Sequence, residues 1–122
     1  MARMVLIDDD EDVRRTLVRM LETAGHEVHE AADGDSGLEL CLRVDPQLVI
    51  TDILMPEKEG IETIMALKRD RPAMKIIAIS GGGRAGGMDF LDMARSLGAD
   101  EVLQKPFRRA ELLDLVNRVL AA

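Results

Sequence analysis

Tryptophan and tyrosine are absent from the 122 residues, and Phe90 and Phe107 are the only aromatic side chains. A surface that grips bases or a flavin ring by stacking has almost nothing to be built from. Cysteine occurs once, as Cys41, so no intramolecular disulfide can form. Basic residues are outnumbered, 16 Lys and Arg against 23 Asp and Glu, which leaves a net charge of −7. That balance argues against non-specific binding to nucleic acid or to an anionic membrane. Neither a signal-peptide pattern nor an apolar run of about 18 residues is found, so a cytoplasmic location with no membrane contact is the expectation.

Apolar residues make up 47% of the chain and charged residues 32%, the usage of a globular protein. The length suits one domain with a substantial core. No linker, low-complexity tract or charged tail interrupts it, so residues 1–122 are expected to form one domain. The end just past the last helical pattern favours a complete single-domain protein or a cleanly cut domain.

The stretch MVLIDDDED, residues 4–12, sets the central problem. Apolar residues of strand character run straight into Asp8, Asp9, Asp10, Glu11 and Asp12. Neighbouring like charges repel by roughly 1 kcal/mol per pair even in bulk water, and by more where water is partly excluded. A cation is therefore expected there.

Short apolar runs recur at 4–7, around Val28, at 48–51, 76–79 and 102–103. Helical patterns lie after each run. Val13, Leu17, Met20, Leu21 and Ala24 share one face, and Gly25 follows as a stop. Leu38, Cys41 and Leu42 make a weaker stripe after the turn ADGDS. Ile61, Ile64, Met65 and Leu67 make a third, and Phe90, Leu91, Ala94 and Leu97, ended by Gly98, a fourth. Leu112, Leu113, Val116, Val119 and Leu120 make the fifth. Five strand–helix pairs predict an α/β domain, a parallel sheet with helices on both faces.

Ligands of such sheets bind outside the carboxyl ends of the strands. The residues standing there are Asp8 and Asp9, Asp52, Ser80 and Lys105. Three carboxylates, a hydroxyl and an ammonium suit a hard divalent cation beside a phosphoryl group, and magnesium fits a site that offers carboxylates. Taken singly, each has a plainer reading. The acidic run can be a solvated helix start, Asp52 a helix cap and Lys105 a surface lysine. Cys41, on an apolar helix face, reads as core. His26 and His29, three apart on a strand, face opposite sides and do not read as metal ligands.

Three further patterns lead elsewhere. Asp8, Asp10 and Asp12 have the spacing of a calcium loop, but Val13 replaces its glycine and Arg19 its bidentate glutamate. GGGRAG, residues 81–86, matches a dinucleotide-binding fingerprint but follows the fourth strand, where that fingerprint belongs after the first. A phosphatase with an aspartate nucleophile needs an acid–base partner near Asp52, and Leu54 cannot serve.

VLIDDDED, VITDILMPEKEG, IAISGG and LQKPF, in this order and spacing, together resemble the receiver domain of bacterial two-component response regulators, the CheY-like family. The resemblance covers essentially the whole chain. It implies a doubly wound (βα)5 flavodoxin-like fold with strand order 2-1-3-4-5. It implies Asp52 as phosphoacceptor, taking a phosphoryl group from a sensor histidine kinase, a phosphotransfer protein or a small donor such as acetyl phosphate. By the same matching, Asp9, Asp52 and the backbone carbonyl of Leu54 would hold Mg2+ with help from Asp8. Lys105 would pair with the phosphoryl oxygens, and Ser80 would close on them. The lysine–proline bond at 105–106 is expected to be cis. The domain would act as a switch rather than as a turnover enzyme, presenting a changed surface around the fourth helix and fifth strand to a downstream protein whose identity is open. A pseudo-receiver, binding partners without phosphorylation, is the alternative. Two departures stand out: Val102 where many members carry a switching aromatic, and a glycine-rich segment after Ser80. These place the expected output in residues 81–87 and around Met88, Phe90 and Met93.

Overall fold

The computed structural model describes residues 1–53, 59–80, 92 and 94–122. Five strands form one parallel sheet: β1 (Arg3–Ile7), β2 (Glu27–Ala31), β3 (Leu48–Asp52), β4 (Lys75–Ser80) and β5 (Glu101–Gln104). Their order is β2-β1-β3-β4-β5. The order reverses between β1 and β3, which opens a crevice at the carboxyl ends of those two strands. Helices α1 (Glu11–Thr23), α2 (Gly34–Val44) and α3 (Glu59–Asp70) follow the first three strands. Residues 94–97, here α4, are helical before β5, and α5 (Arg109–Ala121) follows it.

The three central strands, β1, β3 and β4, are mainly apolar because both faces of the sheet are covered there. Side chains alternate across a strand, so β1 sends Val5 and Ile7 to one side and Met4 and Leu6 to the other. Val5 and Ile7 join Val49, Ile76, Ala78 and the inner residues of α2, α3 and α4 in one core. Met4 and Leu6 join Leu48, Ile50, Ile77 and Ile79 beneath α1 and α5 in a second.

Local chemistry sets where the helices begin and end. Asp10 caps α1, its carboxylate accepting from Val13 N–H at 3.1 Å, and Glu11 and Asp12 sit in the first turn, where the helix dipole favours them. Gly25 and Gly98, at φ of 95° and 125°, take the left-handed backbone that ends a helix. Asp33 caps α2 through Ser36 N–H, and that hydrogen bond holds its carboxyl below the usual range.

Helical faces depart from expectation at their margins. Leu42 is 72% exposed and Met65 51% exposed, whereas Cys41, Ile61, Ile64 and Leu67 are buried. Each helix meets the sheet over a narrow stripe, so an apolar residue one step off it stays in water. Ala24 is exposed at the end of α1 for the same reason. Cys41 is core, its thiol pushed up to about 11 chiefly by burial. His26 accepts a hydrogen bond from Ala2 N–H through Nδ1, and His29 pairs with Glu27. Phe90, Leu91 and Met93 lie outside the described residues.

Candidate functional site

Four of the expected side chains stand where a strand ends. β1 stops at Ile7, and the next residue, Asp8, donates its N–H to Ala31 O of β2 at 3.1 Å. Asp52 and Ser80 are the last residues of β3 and β4, and Lys105 follows the last residue of β5. Lys105 N–H donates to Ser80 O at 2.8 Å, continuing the ladder one step beyond the strand. The Lys105–Pro106 peptide is cis.

These ends bring charge together in a place that excludes water. Asp8 is 1% exposed and Asp52 6% exposed. Lys105 Nζ lies 3.2 Å from Asp8 Oδ2 and 3.3 Å from Asp52 Oδ2, so one ammonium serves two buried carboxylates. The crowding read from the sequence is thus partly relieved by a residue nearly a hundred positions away. Asp9 is exposed at the mouth of the crevice. One carboxylate oxygen from each of Asp8, Asp9 and Asp52 lies within 4.8 Å of the others. Oxygen donors in such a cluster fit a hard divalent cation. The backbone carbonyl of Leu54, expected to join them, lies outside the described residues.

Burial is the main reason the Asp8 carboxyl titrates above its ordinary value. The Asp10 N–H, 2.9 Å from Asp8 Oδ1, pulls the other way, the Asp52 charge adds to the rise and Lys105 offsets part of it. Burial would lower the Lys105 ammonium, but the charges of Asp52 and Asp8 outweigh it and its pKa is raised. A carboxyl with a raised folded pKa binds more protons folded than unfolded. Its contribution to stability therefore falls as pH rises from the unfolded value through the folded one. Asp8→Asn should accordingly raise the metal-free Tm at neutral pH and flatten its fall above pH 4, while weakening Mg2+ binding. Thermal melts in EDTA across pH 4–8 check this, and a lower metal-free Tm for Asp8→Asn would contradict it.

Ser80 is fully buried, and its Oγ has no hydrogen-bond partner among the described residues. An unpartnered buried hydroxyl costs about 1–3 kcal/mol.

Two residues beside the site escaped the sequence reading. Gly60, in the first turn of α3, lets the helix approach the end of β3 so closely that a Cβ there would stand 2.3 Å from Asp52 O. A glycine inside a helical pattern was the available signal. Arg14, on α1, donates from Nη1 to Asp8 O at 2.9 Å and pairs through Nε with Glu30 of β2 at 2.8 Å. Nothing in the sequence marks that contact, because it depends on β2 lying beside β1.

With this geometry in hand, relatives give the arrangement a context. Residues 4–117 match the family model described as response regulator receiver domain. The chain is 35% identical over 122 residues to response regulator receiver protein CpdR of Brucella abortus, covering all of this chain and 99% of that one. It is 34% identical over 123 residues to chemotaxis protein CheY of Halobacterium salinarum, with both chains covered in full. The crystal structure of the receiver domain of NtrX from Brucella abortus superposes with a TM-score of 0.91 at 28% identity, covering 98% of each chain.

Proposed function

This chain belongs to the response regulator receiver domain family, and on that premise we propose that it is a phosphorylation-operated switch with Asp52 as phosphoacceptor. Receiver domains are signalling switches rather than turnover enzymes. In this reading the Asp52 carboxylate attacks phosphorus, a new O–P bond forms, and the donor's bond to phosphorus breaks. The donor is the phosphohistidine of a sensor kinase or phosphotransfer protein, or acetyl phosphate, and imidazole or acetate departs. Transfer of this kind depends on placing the nucleophile and neutralising charge on the phosphoryl oxygens.

The observation that carries the reading is the Lys105 ammonium set between the buried Asp8 and Asp52 at the carboxyl end of the sheet. It keeps Asp52 beside a mobile point charge that can follow the incoming phosphoryl oxygens, which an arginine fork would do in a different geometry. Asp8, Asp9, Asp52 and the Leu54 carbonyl are the proposed Mg2+ ligands. When bound, Mg2+ supplies further neutralisation of phosphoryl charge. Ser80 Oγ, buried without a partner among the described residues, is the proposed donor to a phosphoryl oxygen. We place the protein in the cytoplasm, where histidine kinases present their phosphoryl groups, and take residues 1–122 as one receiver domain. Neither nucleic acid nor membrane is a partner of this domain in the proposal.

Incubation with acetyl phosphate and Mg2+ should add one phosphoryl group per chain by mass spectrometry, and EDTA should prevent it. No uptake under any donor would leave the pseudo-receiver. Continuous release of phosphate beyond one equivalent would make the protein an enzyme.

The output surface belongs to the same proposal. Val102 on β5 is partly buried against the core shared with α3 and α4. A β-branched side chain is stiff about its first torsion, so it cannot swing in and out as an aromatic ring does. Signal would then leave through a displacement of α4 and β5 rather than a ring rotation at 102. Residues 81–87, Met88, Phe90 and Met93, expected to form part of that surface, lie outside the described residues. Hydrogen exchange with and without beryllofluoride, a phosphoryl stand-in, should change across 94–104. Changes confined to α2 or α3 would put the output elsewhere.

A further inference from the structure

The turn that carries Asp8 and Asp9 is held by an arginine that touches neither carboxylate. Asp8 is fixed at four points: its N–H donates to Ala31 O, its Oδ1 accepts from Asp10 N–H, its Oδ2 accepts from Lys105 Nζ, and its carbonyl accepts from Arg14 Nη1 at 2.9 Å. Asp9 differs. It is exposed, and among the described residues no hydrogen bond or ion pair holds its carboxylate. The position of its Cα and Cβ is set by the backbone, and the peptide plane leading into it is the one whose oxygen Arg14 grips. Arg14 is itself held, only 14% exposed and paired through Nε with Glu30 at 2.8 Å. One planar guanidinium thus joins α1, β2 and the turn after β1, which a single-point donor could not do.

We propose that Arg14, braced by Glu30, is a positioning residue that sets the divalent-cation affinity of the Asp8–Asp9–Asp52 cluster by fixing the peptide between Asp8 and Asp9. The proposal rests on the metal-site reading above. Its logic is that of groups behind a metal's ligands, whose loss costs about 10–100-fold in metal affinity although they never touch the ion. The sign separates positioning from simple charge. Arg14 is a cation beside an acidic cluster, so by charge alone its removal would make the cluster more attractive to Mg2+. Positioning predicts the reverse.

Calorimetric titration with Mg2+ is the test, since the chain has no Trp or Tyr to report binding by fluorescence. Arg14→Ala should raise the Mg2+ Kd about tenfold, at the low end of that range. Arg14→Lys, which keeps the charge and can reach only one of the two partners, should raise it by less. Amide shifts of Asp9 and Asp10 should move in the metal-free variants, with metal-free melting close to the parent. An unchanged or lowered Kd in Arg14→Ala overturns the proposal, and if that variant does not fold, an unchanged Kd in Arg14→Lys does so. A loss of melting temperature with unaltered Kd would make Arg14 a structural residue only and equally overturn it. A parent that binds no Mg2+ would instead remove the metal-site reading itself.

Discussion

Asp52→Asn should take up no phosphoryl group under conditions in which the parent takes up one. Among the effects expected here this is the largest, a loss of labelling rather than a slowing. An amide oxygen is far less nucleophilic than a carboxylate, and among the described residues no neighbour offers an equivalent replacement. Asp8, the other buried carboxylate among the described residues, has Oδ1 engaged by Asp10 N–H and Oδ2 by Lys105. Asp9 is exposed at the mouth of the crevice. The same change removes one of the two buried carboxylates that share Lys105, so the variant should fold. Failure to label cannot then be laid to unfolding, and circular dichroism would confirm the point. Mass spectrometry of intact protein and of peptides covering 48–53 decides the outcome. Labelling of Asp52→Asn at the parent's level would mean that another group is the acceptor.

How much of this was legible beforehand differs between fold and site. The alternation of five apolar runs with five helical stripes was enough for a parallel α/β sheet, and β1 and β3 fall within a residue of the runs at 4–7 and 48–51. Order 2-1-3-4-5 was not in the pattern. It came from resemblance, because periodicity states which face of a strand is apolar and not which strand lies beside it. β2 was marked only by Val28, since Glu27, His29 and Glu30 break the run. It is an edge strand, and Glu30 pairs with Arg14 of α1 rather than entering the core. Leu42 and Met65 were counted into stripes that exclude them, because a leucine or methionine one position off the buried arc looks the same in sequence.

The candidate site was legible as residue types at strand ends, and its electrostatics were not. Five consecutive acids predicted repulsion, and a metal was the remedy that suggested itself. The structure adds a second remedy in Lys105, and it separates the acids. Asp10, Glu11 and Asp12 are helix-start residues in water, and the burden falls on Asp8, whose raised titration owes more to burial than to the charge of Asp52. Burial of that kind is a property of the closed fold, invisible in a run of letters.

On the proposed reading Lys105 joins stability to function, and Lys105→Met should show both. Methionine keeps much of the apolar stem and removes the charge, leaving Asp8 and Asp52 buried without their shared cation. Breaking a buried pair from one side costs about 3 kcal/mol or more, on the order of 10 °C in Tm for a chain of this size. The pH dependence identifies the cause. Without Lys105, Asp8 loses an influence that lowers its pKa, so the deficit should be small in acid, where Asp8 is protonated, and grow as pH rises through its folded value. At the alkaline end the sign follows from the lysine. Its folded pKa is raised, so its contribution is fully present below the unfolded value and is lost as pH climbs through the folded one, and the two proteins should converge there. Mg2+ at about a hundredfold over Kd should return about 2.7 kcal/mol to the variant. Adding Asp8→Asn should recover much of the neutral-pH loss, because the group left unpaired is then neutral. Acetyl phosphate labelling of Asp52 should fall about a hundredfold, the scale on which one preorganised charge partner acts in transfer chemistry. Melts in EDTA and in Mg2+ between pH 4 and 11, with labelling rates alongside, test all of this. A loss of stability that is the same at every pH would assign the effect to packing of the lysine stem, and unchanged labelling would remove Lys105 from the transfer step.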